Sequence, residues 1–204
     1  LCGIPRFIGV PLTEDMQQNR QQGSTLEPEA ARLLRNISAL GEASLDDPAS
    51  WDLRLTPAEH ASAAEALRPA AGQPIIAVSI GTKRQSKDWG RKNWRALLAA
   101  LAGPYPQHAL VLLGSADESE ASDFAAEGWR QHSGSSAVLN LCGRLTPRES
   151  AAVLTHARLF LGHDSGPMHL AAAVQIPCVA VFSARNKPRV WFPYGPQHRV
   201  LRSE

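Results

Sequence analysis

The chain of 204 residues suits one full domain with additional elements, or two small domains. With 44% hydrophobic and 20% charged residues, its composition is that of a globular protein that buries its core without staples. The formal net charge of +2 lacks the large basic excess of a dedicated nucleic-acid binder, so we expect no nucleic-acid partner and only local anion sites.

The first third of the chain has an irregular pattern. Residues 6–10 predict a short strand, and the polar, Gln-rich residues 15–24 predict a loop. Apolar residues recur at helical spacing over residues 27–40, which predicts a helix, and residues 57–67 predict another. Residues 42–56, with an Asp-Asp-Pro sequence, are typical of a linker.

From residue 75 onward the pattern becomes regular. Strands are predicted at residues 75–80, 109–113, 137–141, 158–161, 178–182 and 198–202. The helices predicted between them cover residues 93–101, 118–132, 147–155 and 167–174. This alternation predicts right-handed βαβ units and a Rossmann-like, doubly wound parallel sheet. Because such sheets bind ligands at the carboxyl ends of their strands, the residues that follow each strand are the candidates for function.

The loop after the first of these strands is rich in groups that bind phosphate. Gly81 is flexible, Thr82 carries a hydroxyl, and three cations follow, at Lys83, Arg84 and Lys87. A diphosphate needs such donors and point charges. The loop has neither the P-loop pattern nor GxGxxG, and a solvated basic loop is the alternative interpretation.

The next two loops give weaker signals. Asp117 or Glu118, after the second strand, is placed to hold a ribose hydroxyl, although capping of a helix by Ser115 or Asp117 is equally plausible. After the third strand, Thr146 before Pro147 predicts an N-cap with a mostly structural role.

The strongest signal follows the fourth strand. Gly166 permits close approach to the backbone, and Pro167 suits the first helical turn. An anion site at the positive end of the helix dipole is therefore predicted. The free N–H groups are expected around Ser165, Gly166, Met168 and His169. Two interpretations stay open for Asp164, as a loop-fixing cap or a ligand contact, and for His169, as a core residue or a ligand contact.

After the fifth strand, residues 183–195 mix cations with aromatic residues, which suits the covering of a nucleotide or the stacking of a base. A loop that packs its own aromatic residues is the alternative. The cations and aromatic residues are Arg185, Lys187, Arg189, Trp191 and Tyr194.

Other classes of site find little support. Cys2, Cys142 and Cys178 form no CxxC or zinc pattern, and the latter two lie in apolar runs, so we expect buried free thiols and a reducing compartment. We find no pattern of metal ligands and no apolar stretch near the ~20 residues that span a bilayer. The chain opens at Leu1 in mid-pattern, which suggests a fragment of a longer protein.

The chain resembles the heptosyltransferase family, family 9 of the glycosyltransferases. The specific stretch is residues 164–173, Asp-Ser-Gly-Pro-Met-His-Leu-Ala-Ala-Ala, followed by Ile-Pro-Cys-Val-Ala-Val-Phe at residues 176–182. The loops at residues 81–89 and 114–117 resemble the family's phosphate-side loops. The resemblance covers residues 75–202, about two-thirds of the chain.

The resemblance implies a GT-B fold of two Rossmann-like domains, with the donor in the C-terminal one. Residues 1–56 would be the end of the N-terminal acceptor domain and a linker, and residues 57–204 the donor-binding domain. It further implies inverting transfer of heptose, or a related sugar, from ADP-heptose to a lipopolysaccharide core or other glycan acceptor, without metal or cofactor. The expected location is cytoplasmic, with peripheral contact to the inner membrane through the N-terminal domain.

The family's motifs carry over to individual positions. Thr82 and Lys87 would contact the donor phosphates or sugar, and Asp164 the donor sugar. The complete predicted donor site is Thr82, Lys83, Lys87, Asp117, Glu118, Asp164, Ser165, Gly166 and His169. The family's catalytic aspartate belongs to the N-terminal domain and has no counterpart here, so the chain as given is expected to bind donor without transferring sugar.

One departure from the family pattern leaves the donor open. The family often has Phe-Gly and a Thr after the fifth strand, where this chain has Phe-Ser-Ala-Arg-Asn at residues 182–186. Because a fold does not fix function, two alternatives to a transferase also remain, a GT-B-fold sugar-nucleotide epimerase and a noncatalytic nucleotide-sugar-binding module.

Overall fold

The computed structural model describes residues 8–9, 11–134, 136–185 and 187–202. Most of the strand predicted at residues 6–10 lies outside this part of the chain. The described part contains no helix that is both long and apolar enough to cross a membrane.

The N-terminal segment is more ordered than the sequence indicates. The loop predicted at residues 15–24 was wrong, because this stretch holds helix α1 and most of a two-stranded hairpin. The elements are α1 (Glu14–Gln17), β1 (Gln21–Gln22), β2 (Thr25–Leu26) and α2 (Glu29–Asn36). The helix predicted over residues 27–40 ends early and continues as a 3₁₀ turn at Ser38–Leu40, before Gly41 at φ 140°. The linker at residues 42–56 includes a second such turn, Pro48–Trp51.

Ion pairs rather than apolar contacts hold this segment together. Arg32 binds the carboxylate of Glu29, and Arg35 bridges Asp15 (3.0 Å) and Glu27. Since Glu27 and Glu29 are buried residues, each carboxylate needs such a partner. Polar composition alone therefore did not reveal the fold of these residues.

The rest of the chain follows the predicted alternation. The strands are β3 (Ile75–Ser79), β4 (Ala109–Leu112), β5 (Val138–Asn140), β6 (Ala157–His163), β7 (Cys178–Phe182) and β8 (Arg199–Arg202). The helices are α3 (Pro57–Leu67), α4 (Arg91–Ala102), α5 (Ser119–Arg130), α6 (Pro147–Leu154) and α7 (Gly166–Ala173). The capping box predicted at Thr146 and Glu149 is confirmed, and the structure adds two, at Thr56 with Glu59 and at Ser115 with Glu118. The second matches the alternative of helix capping by Ser115.

All six strands pair in parallel, in the order β5-β4-β3-β6-β7-β8. Counted from β3, this is the doubly wound order of the Rossmann fold, which confirms the predicted fold class. The chain reverses direction across the sheet between β3 and β6, so the crevice at their carboxyl ends is the topological switch point.

The sheet buries a core on each face. One core packs Ala77, Val111 and Phe160 against α3, α6 and α7, and the other packs Val78 and Leu110 against α4 and α5. Strand β6 is longer than predicted, because Gly162 and His163 continue the ladder beside β7. The prediction ended this strand before a glycine and a polar residue, although His163 is fully buried.

The N-terminal segment packs against the loop that joins β7 to β8. The backbone N–H of Glu29 donates to the carbonyl of Val190 (2.7 Å), and the Arg189 guanidinium lies 3.4 Å from the Thr25 hydroxyl. These contacts fix the basic loop at the carboxyl edge of the sheet. The division into domains at residues 56 and 57 stays a prediction.

Candidate functional site

An ion pair crosses the switch point. The ammonium group of Lys87, in the loop after β3, binds the carboxylate of Asp164, in the loop after β6. The side chain of Asp164 is 6% exposed and that of Lys87 is 25% exposed. These two predicted donor residues are therefore brought together, and Asp164 fixes the loop after β3 through Lys87.

Buried His163 positions this pair from below. Its Nε2 accepts hydrogen bonds from the backbone N–H of Trp89 (3.0 Å) and the indole N–H of Trp94 (3.3 Å). A nitrogen that accepts both must be unprotonated, and burial lowers the pKa of His163, although Asp88 opposes this shift. The residue just before Asp164 thereby anchors the far end of the Lys87 loop, a role that we did not predict.

Helix α7 presents its N-terminus to the same crevice. Ser165 is the N-cap, and its hydroxyl donates to the carbonyl of His163 (3.3 Å). Gly166 does not have a positive φ, and an added Cβ would meet no heavy atom within 4 Å. Neither the backbone conformation nor the packing of the chain therefore requires glycine at this position.

The prediction that the N–H of His169 is free was wrong. It donates to the carbonyl of Ser165 (3.3 Å), as the first bond of the helix. The amides of Gly166 and Met168 lie in the first turn, where N–H groups lack an intrahelical acceptor. Of the N–H groups expected to be free here, those of Gly166 and Met168 thus keep that position, and the anion site itself stays a prediction.

The His169 side chain is not part of the core. It is 43% exposed, its Nε2 lies 3.8 Å from the Asp164 carboxylate, and its ring meets Trp191 edge-on at 6.0 Å between centroids. The structure thereby favours the interpretation that His169 lies on the surface of the crevice over the alternative that it is a buried core residue.

An acid lies at the other end of the crevice. The Glu118 carboxylate accepts the backbone N–H of Ser115 (2.8 Å) and fills the space in front of Gly81 and Gly114. A Cβ at Gly81 would stand 1.8 Å from this carboxylate. Gly81 thus makes room for Glu118, which is a different reason from the flexibility that we expected. Asp117 is exposed in the same turn.

The remaining residues of the predicted basic loop differ in placement. The Thr82 hydroxyl accepts the backbone N–H of Arg84 (3.4 Å) and helps to shape the loop. Lys83 is exposed, and no contact ties it to the ion pair in the part of the chain that the structure describes.

A cavity of about 530 Å³ adjoins the ion pair and contains residues that were not predicted as site residues. Lys87 lies in its wall. The other lining residues are Arg84, Ser86, Arg185 and Trp191. The mixture of cations with aromatic residues in the loop after β7 was the available signal, but it could not show which of them face the crevice.

Other expectations concern cysteines and metals. Cys142 and Cys178 are buried free thiols, as predicted, and burial raises the pKa of Cys178 to about 12. Cys2 lies outside the described residues. Within residues 8–9, 11–134, 136–185 and 187–202, no group of three or more His, Cys, Asp or Glu side chains could hold a metal ion.

The parallel sheet, with its crevice at the topological switch point, defines a Rossmann-like α/β domain of the kind that binds ligands at the carboxyl ends of its strands. The chain belongs to glycosyltransferase family 9, the heptosyltransferases, whose family model matches residues 21–204. This confirms the resemblance read from residues 75–202.

Individual relatives agree with this assignment. Lipopolysaccharide heptosyltransferase 3 of Escherichia coli is 28% identical over 148 residues, which are 72% of this chain and 40% of the relative. A family 9 glycosyltransferase from Veillonella parvula superimposes with a TM-score of 0.70 at 19% identity, covering 91% of this chain and 51% of that structure. The structure of E. coli heptosyltransferase WaaC with ADP superimposes with a TM-score of 0.62 at 22% identity, covering 93% of this chain and 58% of that structure. The chain therefore spans about half the length of these relatives.

Proposed function

We propose that the chain binds a nucleoside-diphosphate sugar, ADP-heptose or a close relative, across the carboxyl edge of its sheet. The observation that carries this proposal is the position of Gly166. It lies at the positive end of α7, beside the Lys87–Asp164 pair, where the chain itself has no need of glycine. A diphosphate that approaches the amides of Gly166 and Met168 would explain the glycine, because a side chain at position 166 would block that approach.

The order of the strands gives the donor a direction. Glu118, after β4, would accept the ribose hydroxyls, and the diphosphate would lie between the loops after β3 and β6. The sugar would then extend toward Asp164 and His169, on the β7 side of the switch point. Thr82 would reach the diphosphate from the loop after β3.

In the transfer that we propose, an acceptor hydroxyl attacks the anomeric carbon of the heptose. The bond from that carbon to the β-phosphate oxygen breaks, ADP leaves, and the configuration inverts. The hydroxyl proton passes to a general base, and we assign no residue of this chain to that role. The α7 N-terminus and Lys87 would stabilise the charge that develops on the leaving diphosphate.

The remaining parts of the proposal follow the relatives. A curated relative is named lipopolysaccharide heptosyltransferase 3, and the solved WaaC contains ADP, which supports a lipopolysaccharide core or other glycan as acceptor and ADP-heptose as donor. We also propose a cytoplasmic location, with peripheral contact to the inner membrane in the complete protein. As an isolated domain, the chain would bind donor without turnover.

The test is calorimetric titration of the chain with ADP and adenosine. Gly166→Val should weaken ADP binding more than tenfold, at least about 1.4 kcal/mol, because its side chain would block approach to the helix amides. Gly103→Val is the matched control, since a Cβ at Gly103 also meets nothing within 4 Å and its φ is −63°. This control lies at the end of α4, away from the crevice, and should bind ADP as wild type does.

Two results would contradict the proposal. One is wild-type ADP affinity in folded Gly166→Val protein, which would remove the diphosphate from this helix. The other is tighter binding of UDP-sugars than of ADP-sugars, which would contradict the assigned donor. Conversion of the sugar in a bound nucleotide sugar would instead favour an epimerase.

A further inference from the structure

Two guanidinium groups in the cavity beside Lys87 have no role in the donor site described above. The cavity of about 530 Å³ is lined by Arg84 and Arg185, together with Ser86, Lys87 and Trp191. Neither Arg84 nor Arg185 forms a salt bridge within the described ranges of the chain. By contrast, Lys87 is neutralised by Asp164.

The acids near this cavity are already bound. Glu29 lines an adjoining cavity that shares Arg185 and Trp191, but its carboxylate is held by Arg32 and by Asn19 (3.0 Å). Asp164 holds Lys87. Two arginines, a serine and a tryptophan therefore line a space with an excess of about two positive charges, which suits a dianion.

The order of the strands places one wall of this cavity, at Arg185, toward the sugar end of the donor, while Arg84, Ser86 and Lys87 follow β3. Arg185 follows β7, two strands beyond β3 and three beyond β4, where Glu118 would hold the ribose. A donor that runs from Glu118 to the α7 N-terminus reaches its anomeric carbon before it reaches Arg185. Because heptose carries no charge, a dianion held on the Arg185 side of the cavity would belong to the other sugar in the reaction.

We propose that Arg84 and Arg185 bind a phosphate monoester on the acceptor, close to the hydroxyl that receives the sugar. The inference rests on the donor orientation proposed above. Two arginine forks match the oxygens of a phosphate, and Trp191 offers a flat apolar surface for the face of the adjoining sugar ring. The cavity would thereby select phosphorylated acceptors and position the one that is bound.

The test uses glucose 6-phosphate as the probe, added to the chain already saturated with ADP and followed by calorimetry or NMR. Glucose 6-phosphate should bind without displacing ADP, and glucose should not bind. The double variant Arg84→Ala/Arg185→Ala should weaken glucose 6-phosphate at least tenfold while ADP affinity changes less than threefold.

The control removes the same charge at other positions. Arg68→Ala/Arg158→Ala deletes two arginines that are exposed at or before the amino ends of strands, so nonspecific attraction would fall equally in both double variants. We expect this control to bind glucose 6-phosphate within twofold of wild type. Unchanged binding in Arg84→Ala/Arg185→Ala would overturn the proposal.

Two further outcomes separate this inference from the proposed function. If ADP displaces glucose 6-phosphate, or if Arg84→Ala/Arg185→Ala weakens ADP equally, the cavity belongs to the donor diphosphate and the inference is wrong. If the wild-type chain binds glucose 6-phosphate but no ADP, and Arg84→Ala/Arg185→Ala loses the glucose 6-phosphate binding, the proposed donor is wrong and the phosphate site stands.

Discussion

Replacing Lys87 by Met separates two roles that this residue can have in the crevice. The substitution retains an unbranched side chain and removes the charge, which leaves the Asp164 carboxylate, 6% exposed, without its ammonium partner. Breaking a fully buried pair costs about 3–5 kcal/mol. Since Lys87 is 25% exposed and His169 lies 3.8 Å from the same carboxylate, we expect a smaller loss, about 2 kcal/mol in the free energy of unfolding.

A double-mutant cycle measures the pair itself. Asp164→Asn should cost less, about 1 kcal/mol, because the longer Lys87 side chain can turn toward water. The double variant should then be less destabilised than the sum of the two single changes, with a coupling energy of about 1–2 kcal/mol. Urea unfolding, with the same m-value for every variant, is the assay.

Titration of ADP on the same variants assigns the role. If Lys87 also contacts a phosphate, Lys87→Met should weaken ADP by roughly 1.5–3 kcal/mol, whereas Asp164→Asn should leave ADP binding intact. Adenosine affinity should hardly change. Equal loss of ADP affinity in all three variants would show that the pair only shapes the loop. Coupling below about 0.5 kcal/mol would refute the argument that burial makes this pair strong.

Two other predictions concern protons and metals. Burial lowers the pKa of His163 below its ordinary 6.5, so the unfolded chain binds a proton more readily than the folded chain does. The free energy of unfolding should therefore fall as the pH drops below about 6.5, by at most roughly 1.4 kcal/mol per pH unit for this group. Urea unfolding at pH 7 and 5 should show a smaller difference in His163→Gln, and an equal difference would contradict this. Donor binding should survive EDTA, because we assign the diphosphate to the α7 N-terminus and Lys87; a large gain in ADP affinity with Mg²⁺ would refute it.

The sequence predicted the sheet well because its signals are local. Apolar runs and helical spacing located all six strands and the helices between them, usually within two residues, since each pattern repeats over a short stretch. The N-terminal segment was read poorly for the converse reason. Its order depends on Arg32 and Arg35 reaching acids elsewhere in the segment, and no periodicity records such contacts.

The site was predicted in part, and the errors have a common cause. Residues at the start of α7 and in the loop after β3 were proposed from turn chemistry and from the family resemblance, and the structure brings Lys87 and Asp164 together. Which side chains meet depends on strand order, so the pairing of Lys87 with Asp164, 77 positions apart, could not be read from either loop alone. The hydrogen bonds from Trp89 and Trp94 to His163 could not be predicted either, because in the sequence a buried histidine at a strand end cannot be told from an exposed polar residue.

The balance of charge links the two proposals. Lys87 was the cation that the sequence assigned to phosphate, yet the structure pairs it with Asp164, so the crevice at the switch point is closer to neutral than the loop composition indicates. A diphosphate there would depend on the helix amides as much as on Lys87. Among the described residues, Arg84 and Arg185 form no salt bridge, and both line the cavity beside Lys87, with Arg185 on the sugar side. Because positive charge is concentrated where the acceptor would enter, anion recognition in this domain should act on the acceptor as well as on the donor.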